Sequence, residues 1–163
     1  MSLQFERIEN KDLQAVTAIY NHYVETSTAT FHLEPVTTES MALSLSLNND
    51  SYPSFVVLDD GQLAGFCYLS RFRPKQAYDI SAEVTLYLHP DFIRKGIGSA
   101  VLAFLEEEAK KRNIKNLLGV ITAENTASMK LFERCGYNQA ARLKNIGIKF
   151  GKALDVVWYQ KEL

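Results

Sequence analysis

The stretch from Ile80 to Arg112 restricts the fold more than any other part of the chain. Ile80, Ala82, Val84, Leu86 and Leu88 alternate with Ser81, Glu83, Thr85 and Tyr87, which is the period of two of a β-strand. One face should be core, leaving the other free to carry chemistry. After His89-Pro90 the chain passes through a turn holding Gly96 and Gly98. From Ser99 the apolar residues Val101, Leu102, Leu105 and Ala109 then recur at helical spacing. A strand therefore feeds a helix through a glycine turn.

The flanking segments extend this pattern in both directions. Phe5 to Ile8 reads as a short strand, with Asn10 placed to cap a helix that buries Leu13, Val16, Ile19, Tyr20, Tyr23 and Val24. Thr26 to Phe31 reads as a loop or kinked helix end that lines a pocket, and Glu34-Pro35 breaks it before a helix capped by Thr37 or Thr38. Ser54 to Leu58 and Leu63 to Ser70 form a hairpin around Asp59-Asp60-Gly61-Gln62. Asn116 to Ile121 reads as a strand, Asn125 to Cys135 as a helix closed by Gly136, and Tyr137 to Leu143 and Leu154 to Gln160 as strands. The order β-α-α-β-β-β-α-β-α-β-β has no internal repeat. It implies an α/β fold of the α+β type: a mixed, mostly antiparallel sheet with helices on both faces. At 163 residues the chain, 1–163, is expected to be one domain.

Composition narrows the partners. Hydrophobic residues make up 47% and charged residues 23%, the profile of a globular protein. A net charge of −1 supplies no global field toward nucleic acid or an anionic membrane, so neither is expected as a partner. No apolar run approaches the roughly 18 residues of a membrane span, and the N-terminus lacks a signal peptide's basic start and apolar core. A cytoplasmic location is expected, with Cys67 and Cys135 as reduced thiols. His22, His32 and His89 are scattered singly, and no metal site is expected. Glu106–Lys110, Glu107–Lys111 and Glu108–Arg112 read as i,i+4 pairs on a solvated helix face.

The segment Arg94-Lys95-Gly96-Ile97-Gly98-Ser99 carries the chemistry. Free N–H groups at a helix N-terminus, reinforced by the helix dipole, bind anions, and glycines allow a pyrophosphate to approach the backbone. Neither the G-x-G-x-x-G dinucleotide fingerprint nor a Walker loop is present. On spacing alone, a tight strand-to-helix turn with no ligand is an equal reading. In context the segment resembles the acetyl-CoA motif of the GNAT superfamily, Gln/Arg-x-x-Gly-x-Gly/Ala, with Gly96 and Gly98 on the small positions. Ile93 stands where that motif has Gln or Arg, while Arg94 and Lys95 supply charge for phosphates.

Four blocks make the resemblance narrower. They are Tyr20 to Phe31 with Glu34-Pro35; Arg73 to Glu83, including Gln76-Ala77-Tyr78; Arg94 to Ser99; and Asn125-x-x-Ser128 with Gly136-Tyr137, Lys149-x-Gly151 and Asp155-Val156. Together they resemble phosphinothricin and methionine sulfone/sulfoximine N-acetyltransferases. The resemblance implies a GNAT fold, acetyl-CoA as donor, a homodimer, and acetylation of the α-amine of a small amino-acid-like substrate. It assigns Glu83 as the base, the backbone of Leu86, Tyr87 and Leu88 to the pantetheine arm, and Asn125 and Ser128 to the cofactor; Asn125 reads equally well as a helix cap. Arg73 and Lys75 are expected to clamp an anionic group of the substrate, with Phe31 and Tyr78 lining its pocket. Phe132 stands where relatives carry a His or Tyr that protonates the departing thiolate. A thiol pKa of about 8.5 lets the thiolate leave unaided. A peptide or protein N-terminal acetyltransferase, or a non-catalytic acyl-CoA-binding module, are the alternative readings. The first predicts an open acceptor groove, and the second has no use for Glu83.

Overall fold

The computed structural model describes residues 2–163. The elements come in the order read from periodicity: β1 (Leu3–Arg7), α1 (Leu13–Thr26), α2 (Thr38–Leu45), β2 (Ser54–Asp59), β3 (Gln62–Arg71), β4 (Ser81–Leu88), α3 (Ile97–Lys111), β5 (Asn116–Thr122), α4 (Thr126–Arg134), β6 (Asn138–Lys149) and β7 (Lys152–Glu162). The strands form one sheet in the order β1-β2-β3-β4-β5-β7-β6. Every neighbouring pair is antiparallel except β4 and β5. That parallel pair is short. It joins Ser81, Ala82 and Glu83 to Asn116, Leu117 and Leu118, after which no further β4–β5 pairs form.

Helices cover both faces, as the element order implied. On one face Val101, Leu102, Leu105 and Ala109 of α3 meet Phe55, Val57, Cys67, Leu69, Ala82 and Val84. Each fully buried leucine there contributes about 1.5–3 kcal/mol relative to exposure. On the other face α1 and α2 set Val16, Ile19, Tyr20, Met41 and Leu45 against Val56 and Phe66. β2 and β3 are thus buried on both sides, which is why they read as continuous apolar runs.

Several local expectations change. Asn10 lies within a short 3-10 turn, Asn10–Asp12, and caps nothing; the Asp12 carboxylate instead accepts from the Glu9 N–H at 2.9 Å. Thr37 caps α2, its hydroxyl accepting from the Ser40 N–H. The acidic run on α3 is not uniformly solvated, because a 3.6-residue period carries successive glutamates around the helix. Glu108 is buried and bonds Lys111 and Arg112, Glu107 bonds Lys110, and Glu106 reaches Lys161 on β7. Only Glu108–Arg112 of the expected i,i+4 pairs forms among them. The terminal hairpin outruns its apolar pattern, since β6 is almost entirely exposed and its register shifts twice.

Candidate active site

Divergence of β4 from β5 opens the sheet beyond Glu83. A cavity of about 860 Å³ occupies the split, lined by Val84 to Leu88 on one side and Val120 to Thr122 on the other. The edge of β4 that faces β5 has no strand partner past Glu83. Its backbone N–H and C=O groups are therefore open to an extended ligand. The Tyr23 hydroxyl already donates to the Leu88 carbonyl, leaving that oxygen one further lone pair.

The N-terminus of α3 closes one end of the cavity. Gly96 precedes the helix with φ +77° and ψ 1°, a left-handed conformation that glycine adopts without penalty. The first-turn N–H groups have no intrahelical acceptor, and Ile97, Gly98 and Ser99, which carry them, line the cavity. Arg94, Gly96, Ile97, Gly98 and Ser99 all line the cavity, whereas Lys95 turns away over the ring of Phe92 at 4.8 Å. Gly98 answers a second demand. A Cβ there would lie 2.8 Å from a methyl of Leu131, so the glycine also lets α3 approach α4.

α4 supplies the far wall. Asn125 caps it, its side-chain oxygen accepting from the Ser128 N–H at 3.2 Å, and both residues also line the cavity. Sequence reasoning missed Lys130 and Arg134, which add two cations to this wall; their spacing of four residues on a helix was the available signal. Phe132 borders the cavity too, but its ring is buried against Gly119, where a Cβ would meet it at 2.2 Å, and against Tyr137 and Tyr159. The Tyr137 hydroxyl in that cluster is buried without a hydrogen-bond partner.

Glu83 lies at the apex of the split, where β4 and β5 last pair. Its strand face is less polar than alternation implied, because Tyr87 on the same face is covered by Tyr20 and Phe66. Burial pushes the Glu83 carboxyl above the ordinary carboxylate range, and the charge of Arg73 opposes that rise. The Arg73 guanidinium stacks over Phe72 at 4.6 Å and Trp158 at 5.4 Å, and Tyr78 meets Phe72 edge-on. Arg73, Tyr78 and Glu83 thus share one neighbourhood, with Phe72 and Trp158 as an aromatic floor that sequence reasoning missed. Lys75 is exposed and serves the turn Gln76–Tyr78 through its carbonyl. Phe31 is set apart, its ring lying against Gly147 of β6.

The parts fit a carrier that bears a pyrophosphate and an extended arm: open N–H groups, three lining cations, and a strand edge leading to a half-buried carboxylate. A fold and site of this kind define a group-transfer enzyme. A profile of the acetyltransferase (GNAT) family matches residues 16–137, and the chain belongs to that family. It is an N-acetyltransferase, and acetyl-CoA is the donor used by the family. The phosphinothricin N-acetyltransferase of Alcaligenes faecalis is 36% identical over 158 residues, 96% of this chain and 80% of that protein. The L-methionine sulfoximine/L-methionine sulfone acetyltransferase of Salmonella typhimurium is 28% identical, covering 100% of this chain and 95% of that one. A solved phosphinothricin acetyltransferase from Sinorhizobium meliloti, in complex with AcCoA, superposes with a TM-score of 0.93 at 30% identity, covering 100% of this chain and 89% of that one.

Proposed function

We propose that the enzyme acetylates the α-amine of a small amino-acid-like acceptor of the phosphinothricin, methionine sulfoximine or methionine sulfone type. The observation that carries this reading is the placement of a half-buried carboxylate, Glu83, beside a stacked guanidinium, Arg73, at the closed end of the split. Bound acetyl-CoA would supply the activated acetyl thioester. The α3 N-terminus with Arg94 and Ser99 holds the pyrophosphate, Lys130 and Arg134 add positive charge, and Asn125 and Ser128 contact the carrier further along. Backbone groups of Leu86 to Leu88 align the arm, and one N–H there polarises the thioester oxygen.

Glu83 takes the proton from the acceptor's α-ammonium, directly or through water. The α-ammonium of a free amino acid titrates above the roughly 8 of a peptide N-terminus, several units beyond an ordinary carboxylate, so a raised carboxyl pKa narrows the gap. Arg73 donates from Nη1 to the Phe72 carbonyl at 2.8 Å, and its remaining N–H groups, left open by the stacking, bind the acceptor's carboxylate or phosphinate. Turnover of acetyl-CoA, followed by thiol release, against amino acids, phosphinothricin, methionine sulfoximine, methionine sulfone and short peptides tests the assignment. Peptides or uncharged arylamines as the best acceptors would overturn it. Arg73→Ala should raise the acceptor KM more than the acetyl-CoA KM. It also removes the charge that holds the Glu83 pKa down, so the acid limb of kcat should move to higher pH; an unmoved limb would separate Arg73 from the base.

We further propose a homodimer in the cytoplasm. Ile146, Ile148 and Phe150 are more than half exposed on or beside β6, a larger apolar surface than a lone edge strand needs. Light scattering at micromolar concentration should give twice the chain mass, and monomer alone would refute it. The free thiols of Cys67 and Cys135 fit a reducing compartment.

A further inference from the structure

The loop joining α1 to α2 crosses the split, and three successive carbonyls in it are held by three different strands. Thr28 O accepts from the Thr122 hydroxyl on β5 at 2.5 Å. Ala29 O accepts from the Tyr87 hydroxyl on β4 at 3.3 Å, and Thr30 O from the Lys149 ammonium on β6 at 2.8 Å. The Thr30 hydroxyl also meets the Tyr20 hydroxyl at 2.5 Å, which in turn meets His32 Nδ1 at 2.5 Å. Ala29 lines the cavity, and the Phe31 ring occupies the space that a side chain at Gly147 would fill.

Lys149 is the anomalous anchor. It is 2% exposed, and among the described residues no carboxylate pairs with it; its one hydrogen bond goes to Thr30. Its ammonium also lies over the Phe150 ring at 5.2 Å, but neither a carbonyl nor a ring face carries a full counter-charge, so stability alone does not require a cation here. Burial accordingly lowers the ammonium pKa from its ordinary value.

We propose that Lys149 is a positioning residue for the acceptor: by holding the Thr30 carbonyl it fixes the neighbouring Ala29, which lines the cavity, as the wall against which the acceptor amine is placed. This rests on the acetyl-transfer reading above. Lys149→Met keeps the length and apolar stem of the side chain and removes the charge and donor. Its Tm should stay level or rise, while amide hydrogen exchange in residues 27–32 accelerates at least tenfold. The acceptor KM should rise about tenfold or more, with the acetyl-CoA KM within twofold of wild type. Tyr20→Phe, which removes the other grip on Thr30, should give the same acceptor-selective rise. A fall in Tm with equal change in both KM values would reduce Lys149 to a structural role. Unchanged exchange and acceptor KM in Lys149→Met would also overturn the proposal. A wild-type enzyme that turns over no amine would remove the acetyl-transfer reading instead, and the exchange measurement would still decide whether Lys149 holds the loop.

Discussion

Replacing Glu83 with Gln should lower kcat by roughly 10²-fold or more, the usual scale for loss of a general base. Gln keeps the length and much of the polarity of Glu at the apex of the split but has no basic oxygen. Activity should recover in part at high pH, where more of the amine is already deprotonated. Phe132 provides the contrast. Phe132→Tyr restores a hydroxyl on a ring packed against Gly119, and only a modest gain is expected, because thiolate leaves readily without a donor. Steady-state pH profiles of both variants decide the matter. Near-normal kcat in Glu83→Gln would remove the carboxylate from the mechanism, and a large gain in Phe132→Tyr would make thiolate departure the limiting step.

Gly96→Val should weaken acetyl-CoA binding by roughly 10- to 100-fold, equivalent to losing one or two charge-assisted hydrogen bonds. A β-branched residue at φ +77° is strained, with about 1–2 kcal/mol as the usual penalty for a left-handed conformation, so the turn must relax and re-aim the N–H groups behind it. Nothing lies within 4 Å of a Cβ at Gly96, so packing is little disturbed and Tm should fall by only a few degrees. At Gly98 the same substitution strikes Leu131, and loss of affinity there should come with a larger loss of Tm. Calorimetry on the folded proteins separates the two positions. Undiminished affinity in Gly96→Val would mean that the turn does not hold the carrier.

What could be read in advance was local. The alternation from Ile80 to Leu88, the two glycines and the stripe on α3 are contiguous, and each reports backbone geometry within a few residues. Gly98 was read as room for a ligand, but its contact with Leu131 arises from a helix 33 positions later, which no local pattern contains. Tyr87 appeared to lie on a polar face because alternation is blind to α1 folding over it. Arg73 was singled out for its charge, yet the Trp158 ring beneath it lies 85 positions away and became visible only when β7 was in place beside β5. Lys149 belonged to a motif with no assigned task. Its burial, and the carbonyl it holds, follow from a loop 119 positions earlier.

The divergence of β4 and β5 also bears on how the chain avoids unwanted self-association. Unpaired strand edges invite pairing with foreign chains, and most proteins must shorten, charge or cover them. This sheet has two outer edges and one internal pair. β1 is short at five residues, and β6 is long but broken by two register shifts and carries Arg142 and Lys144 on its exposed length. The internal edges are enclosed by α3, α4 and the α1–α2 loop, in a gap bounded at its apex by Glu83 and Leu118. A strand from another protein would have to thread between these elements to reach them. The fold thereby keeps its unsatisfied backbone groups available to a slender ligand and out of reach of aggregation.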